Sequence, residues 1–92
     1  MTKVKNVSIK VKGRVQGVGY RYNTMIKARE LGIKGYVKNE RDGSVLIEAE
    51  GNQEELDEFT HWCTQGPNFA RVDHISIHMG PVRNFEDFFI AR

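Results

Sequence analysis

The segment VKGRVQGVGYR at positions 11–21 decides how this chain folds, because a strand pattern ends and a helix pattern begins within it. Up to its first residue, apolar Val7, Ile9 and Val11 alternate with polar residues, which predicts a half-buried strand. The glycines of the segment permit positive φ angles and let a ligand approach the backbone closely. Successive N–H groups can then form a concave nest, to which the following helix adds its positive N-terminal end. The segment therefore predicts an anion site between a strand and a helix.

Arg21 stands at the start of the predicted helix, where its planar guanidinium can bind two oxygens of one phosphate. A second interpretation stays open at this point: the glycines only turn the chain, and Arg21 is only solvated. The two common nucleotide loops do not match. An ATP loop ends in Gly-Lys-Ser/Thr, and the dinucleotide loop has the order G-x-G-x-x-G, whereas this loop has the order G-x-x-x-G-x-G. We therefore expect neither ATP nor NAD.

The rest of the chain alternates between strand and helix patterns after a start at residues 1–3 that we expect to fray. The predicted elements are a helix at 20–31, strands at 35–39 and 44–50, a helix at 53–64, and strands at 72–79 and 85–90. In the first helix, Tyr22, Met25, Ile26 and Ala28 have helical spacing. This order indicates an α+β fold of the split βαβ, ferredoxin-like type, a sandwich with two helices on one face of an antiparallel sheet and a short terminal strand.

Alternation within the strand at 44–50 predicts one buried and one solvated face. Val45, Ile47 and Ala49 are expected to face the core, and Glu48 and Glu50 are expected on the mostly solvated side. A hairpin joins this strand to the preceding one, because residues 40–43 have hairpin length and end in glycine. The helix at 53–64 begins with a capping box formed by residues 52 and 55.

Length and composition set limits on the class of protein. Ninety-two residues suit one domain at 1–92. A net charge of +2 is compatible with a small anionic ligand and too low to indicate nucleic acid or a membrane as the partner. A single cysteine, Cys63, excludes an internal disulfide, and no apolar run suits a signal core or a membrane span. We expect a monomer in the reducing cytoplasm.

No metal site is expected. His74 and His78 share a strand face but lie roughly 13 Å apart. His61 and Cys63 point about 200° away from each other on a helix. Cys63 lies near the C-terminal end of that helix rather than at its N-terminus, so a small buried residue is the better interpretation than a nucleophile.

Asn39 is the second candidate functional residue. Asparagine at the end of a strand before a hairpin is common for turn reasons alone. In the split βαβ arrangement, however, the sheet end that carries the glycine loop can also carry Asn39. A neutral amide both donates and accepts hydrogen bonds, so it can hold a water molecule in line with a bound phosphorus atom.

These residues resemble the acylphosphatase family. The first family signature resembles GRVQGVGYR at positions 13–21, and the second resembles GYVKN at positions 35–39, followed by Gly43, Val45 and Gly51. The resemblance extends to the closing FFIAR segment and so spans essentially the whole chain. It implies a ferredoxin-like fold and the hydrolysis of acyl phosphates to a carboxylate and inorganic phosphate, with no metal and no cofactor.

The resemblance also implies roles for particular residues. Arg21 would be the catalytic arginine, Asn39 would position the attacking water, and the phosphate would be bound by a loop that consists of Arg14, Val15, Gln16, Gly17, Val18, Gly19 and Tyr20. Inorganic phosphate or sulfate would compete as anions. Tyr20 departs from the phenylalanine or methionine that is more frequent in the family, which puts loop packing or rate in question but not the mechanism.

Two other classes of function stay open on the sequence. A ferredoxin-like RNA-binding module is suggested by Lys34, Gly35 and Tyr36, but the aromatic residues that should follow are absent at 37–39. A regulatory or maturation module could bind the anion without turnover, and only the pairing of Arg21 with Asn39 speaks against it.

Overall fold

The computed structural model describes residues 3–92, so the expectation for residues 1 and 2 lies outside it. The elements are β1 (Lys5–Arg14), α1 (Tyr20–Leu31), β2 (Lys34–Asn39), β3 (Val45–Gly51), α2 (Gln53–Gln65), β4 (Arg71–Gly80) and β5 (Phe88–Ile90). They form a five-stranded sheet in the order β4-β1-β3-β2-β5. The predicted element order and the ferredoxin-like α+β fold are confirmed. No helix within residues 3–92 has the length and apolar character needed to cross a membrane.

The core lies between the sheet and the two helices. On β1, Val7, Ile9 and Val11 are buried as the alternation predicts. Helix α2 buries Leu56, Phe59 and Cys63, and it begins with the expected capping box. Helix α1 packs on β2 and β5, and helix α2 packs on β1, β3 and β4. The apolar residues from all these elements meet in one cluster.

Helix α1 buries a different stripe from the one expected. Its buried residues are Tyr20, Thr24 and Ala28, which recur every fourth position. Tyr22 and Ile26 are exposed, by 59% and 43%. Residues two positions apart on a helix point about 200° away from each other, so a helix that buries Tyr20 must turn Tyr22 outward.

The last strand makes the sheet mixed rather than wholly antiparallel. Strand β5 pairs in parallel with β2, with Phe88 beside Gly35 and Ile90 beside Val37. Strand β4 lies at the opposite edge, so the chain must cross the sheet before β5 begins. Because β4 and β2 run in opposite directions, a strand that starts where β4 ends runs parallel to β2. The crossing also shortens β5, which begins at Phe88 and not at the predicted residue 85.

The expected solvated face of β3 is wrong at two positions. Glu48 and Glu50 are 7% and 3% exposed. The Asn6 side chain donates to both carboxylates, at 3.0 and 2.9 Å, and the crossing segment donates to Glu50 from the N–H groups of Arg83 and Phe85. Burial alone would raise the pKa of Glu50, but these donors lower the pKa below its ordinary value. The alternation of apolar and polar residues does not show which loop covers a face of the sheet, so it did not predict this burial.

Candidate active site

The register of the sheet brings the glycine loop and Asn39 to the same end. Val11, near the end of β1, and Asn39, at the end of β2, both pair with Val45 of the strand between them. The loop that follows β1 and the last residue of β2 therefore lie side by side at this sheet end. This is the juxtaposition that the split βαβ arrangement predicts.

The loop contains two glycines in the left-handed conformation that an anion nest needs. Gly17 and Gly19 take φ values of 74° and 79°, in the left-handed region that favours glycine. Gly19 is also the N-cap of α1 and supplies no side-chain cap. The first N–H group to enter the helical pattern is that of Asn23, which donates to the Gly19 carbonyl at 3.1 Å. Within residues 3–92, the N–H groups of residues 16–22 donate to no backbone carbonyl, so they remain donors for an anion.

Hydrogen bonds hold the loop in place. The Gln16 side-chain amide donates to the carbonyl of Glu40 at 2.8 Å and to the carbonyl of Ser44 at 2.9 Å. These two carbonyls flank the turn that directly follows Asn39. The Asn23 side chain donates to the Gly19 carbonyl at 2.8 Å. The loop is thereby tied both to the hairpin and to its own helix.

A cavity of about 200 Å³ lies at this sheet end. Its lining consists of Val15, Gly17, Gly19, Tyr20, Arg21, Tyr22, Asn39 and Ile90. The structure thus brings Arg21 and Asn39 together with four of the seven predicted loop residues. The other three, Arg14, Gln16 and Val18, do not line this cavity. Arg14 ends β1, Gln16 links the loop to the hairpin, and Val18 packs against the core.

Arg21 and Asn39, which both line the cavity, lack partners for their polar atoms among residues 3–92. Arg21 takes part in none of the ion pairs of this described range. Asn39 Oδ1 is fully buried, and no donor within the same range reaches it. A buried acceptor without a hydrogen bond costs about 1–3 kcal/mol.

Tyr20 and Cys63 serve the packing beneath the site. The Tyr20 hydroxyl donates to the Cys63 carbonyl at 2.7 Å, and the Tyr20 residue is 1% exposed. Burial raises the pKa of this hydroxyl far above its ordinary value. The Cys63 thiol is fully buried as well, and burial raises its pKa to about 12. The hydroxyl that distinguishes Tyr20 from phenylalanine therefore joins α1 to α2.

Sequence reasoning missed two residues of the cavity, Tyr22 and Ile90. Helical spacing counted Tyr22 among the apolar residues of α1, and strand pattern alone gave Ile90 no role. Only Tyr22 could have been suspected from the sequence, because it directly follows the candidate residue Arg21.

The fold and the site together define a ferredoxin-like domain in which a glycine loop, an arginine and an asparagine line one cavity. The Acylphosphatase family model matches residues 7–90. An acylphosphatase of Archaeoglobus fulgidus is 47% identical over 85 residues, which cover 92% of this chain and 96% of that relative. An acylphosphatase of Mannheimia succiniciproducens is 55% identical over 65 residues, which cover 71% of this chain and 72% of that relative.

Solved structures agree with these relatives. The crystal structure of the acylphosphatase from Bacillus subtilis superposes with a TM-score of 0.93 at 35% identity, and the match covers 98% of this chain and all of that one. This chain belongs to the acylphosphatase family. Its activity is the hydrolysis of acyl phosphates, which makes it an enzyme rather than an RNA-binding module or a module that binds without turnover.

Proposed function

We propose that Arg21 and the loop at residues 14–20 bind the phosphoryl group of the acyl phosphate, and that Asn39 holds the attacking water. The observation that carries this assignment is that Arg21 and Asn39 line one cavity together with Gly17 and Gly19 of the loop. The Asn39 side-chain amide would hydrogen-bond to a water molecule in this cavity, and a lone pair of that water molecule would be directed to the phosphorus atom.

The other contribution to catalysis in this mechanism is neutralisation of the charge on the phosphoryl group. The loop N–H groups and the Arg21 guanidinium contact the phosphoryl oxygens and stabilise the charge that they carry as the water attacks. The nest is preorganised, because Gln16 and Asn23 already fix the loop. Little reorganisation is therefore needed when the substrate binds.

The leaving group explains why so few catalytic groups suffice. Water attacks phosphorus, the bond between phosphorus and the acyl oxygen breaks, and the electron pair leaves on a carboxylate. The conjugate acid of a carboxylate has a pKa of about 4, by analogy with Asp and Glu, so no proton donor is required. The proton of the water passes to a phosphoryl oxygen of the substrate. The reaction in this form uses neither a metal nor a cofactor.

Hydrolysis of benzoyl phosphate by site variants tests the assignment. We expect two variants to lower kcat about 100-fold or more. Arg21→Lys keeps the positive charge but loses the planar guanidinium that binds two oxygens. Asn39→Asp keeps the side-chain shape but adds a negative charge. Asn68→Ala, in an exposed loop, is the matched control. Full activity in the Arg21 and Asn39 variants would refute the roles, and loss of wild-type activity in EDTA would refute the metal-free mechanism.

We also propose that residues 1–92 act as one monomeric domain in the cytoplasm, with phosphate and sulfate as competing anions. The lone buried cysteine supports a reducing compartment, since it forms no disulfide. Competitive inhibition by phosphate and sulfate tests the anion site. Light scattering after size-exclusion chromatography tests the monomer, and cell fractionation tests the location.

A further inference from the structure

One wall of the cavity is apolar and faces solvent. Tyr22 and Ile90 line the same cavity as Arg21 and Asn39, and they are 59% and 37% exposed. Single exposed apolar residues are common on protein surfaces and need no explanation. Two of them on the rim of one polar cavity form a feature that the proposed chemistry at phosphorus does not use.

The Tyr22 side chain takes no part in the core of the fold. Helix α1 buries the stripe of Tyr20, Thr24 and Ala28, which lies on the other side of the helix. Within residues 3–92, the ring of Tyr22 pairs with no other aromatic ring, and its hydroxyl makes no hydrogen bond to a protein group. The side chain is therefore available for contact with a bound molecule.

The direction in which a substrate must leave the cavity follows from the lining. Val15 and Tyr20 also line the cavity, and both are 1% exposed, so they close it on the protein side. A phosphoryl group held by the loop must project its acyl group toward the open side. The exposed lining residues are Gly17 and Gly19 of the loop, Arg21, and the apolar pair Tyr22 and Ile90. The loop and Arg21 engage the phosphoryl oxygens, so Tyr22 and Ile90 are the exposed side chains left for the acyl group.

We propose that Tyr22 and Ile90 bind the acyl group, so that these two side chains determine how strongly aromatic or extended apolar acyl groups are favoured over the acetyl group. This inference rests on the proposed location of the phosphoryl group. A ring packed against Tyr22 gains dispersion and aromatic contact, and it removes apolar surface from water. A methyl group is too small to make either contact fully.

The test compares benzoyl phosphate with acetyl phosphate, whose carboxylate leaving groups have similar basicity. We expect wild type to show a higher kcat/KM for benzoyl phosphate, and Tyr22→Ala to lower the benzoyl-to-acetyl ratio about three- to tenfold. Most of this change should appear in KM, because contact with the acyl group is made in the ground state and the transition state alike. Tyr22→Phe should keep the ratio.

Ile26→Ala is the matched control, since Ile26 lies one turn along the exposed side of α1, is 43% exposed and does not line the cavity. A second measurement is independent of turnover: phenylphosphonate should inhibit wild type more strongly than methylphosphonate, and Tyr22→Ala should reduce that difference. An unchanged ratio in Tyr22→Ala, or an equal change in Ile26→Ala, would overturn the inference and leave the roles of Arg21 and Asn39 intact. Full activity of Arg21→Lys would instead remove the phosphoryl site on which both proposals depend.

Discussion

The Tyr20 hydroxyl makes a hydrogen bond whose removal should lower the stability of the protein and leave catalysis unchanged. It donates to the Cys63 carbonyl near the end of α2. In a continuing helix, the donor to that carbonyl would be the N–H group of the residue four positions later. That residue is Pro67, which has no N–H group. The hydroxyl therefore supplies a donor that the backbone cannot.

The expected magnitude follows from burial. Tyr20 is 1% exposed, so water cannot readily replace the hydroxyl. Tyr20→Phe leaves a buried carbonyl unsatisfied, and we expect the free energy of unfolding to fall by about 1–2 kcal/mol. For a domain of this size, that corresponds to a decrease in Tm of about 5–15 °C. The contact with Trp62, at 5.8 Å between ring centroids, should survive because phenylalanine keeps the ring.

Urea and thermal unfolding followed by circular dichroism measure the effect, with Tyr22→Phe as the control. Tyr22 also loses a hydroxyl in that variant, but its hydroxyl is exposed, so we expect a change within about 0.5 kcal/mol. The kcat/KM of Tyr20→Phe should match that of wild type. Equal stability of the two variants would show that the hydrogen bond does not stabilise the fold. A loss of activity at unchanged stability would place the hydroxyl in the chemistry.

Three further outcomes follow from the structure. Gln16→Leu removes both bonds between the loop and the hairpin, and should lower kcat/KM roughly tenfold or more in a benzoyl phosphate assay while the fold persists. Glu50→Gln should destabilise the protein by about 1–3 kcal/mol at pH 7 in urea titrations. Because the folded-state pKa of Glu50 is lowered, its contribution is present above the unfolded-state value of about 4.3 and is lost as pH falls, so the difference from wild type should shrink by pH 3. Cys63 should react with iodoacetamide only on unfolding, since the thiol is buried and its pKa is raised to about 12; rapid labelling of the native protein would contradict this.

Local signals in the sequence were enough to predict most of the fold. The helix at Tyr20–Leu31 has the predicted bounds, because Gly19 and Gly32 both take left-handed conformations at its ends. The capping box of α2 also needs only residues within one turn. The parallel pairing of β5 and the burial of Glu50 could not be predicted in this way, because both depend on where the crossing segment runs over the sheet.

The candidate site, too, could be predicted only in part from the sequence. Arg21 and Asn39 could be paired from sequence, because the strand order places the ends of β1 and β2 on either side of Val45. The apolar rim could not be found, because Tyr22 has the same spacing as residues that a helix buries. Only the burial of Tyr20 decides which side of α1 faces outward.

The two ends of the sheet use one kind of chemistry in two different ways. At one end, N–H groups of the crossing segment, with Asn84 at a φ of 60°, surround the Glu50 carboxylate, so that a nest and its anion come from the same chain. At the other end, Gly17 and Gly19 shape a second nest, and no carboxylate within residues 3–92 pairs with the adjoining Arg21. The first nest holds the fold together because its anion is internal. The second is free to bind a phosphoryl group from outside, as we propose, since no internal carboxylate of the described range pairs with Arg21.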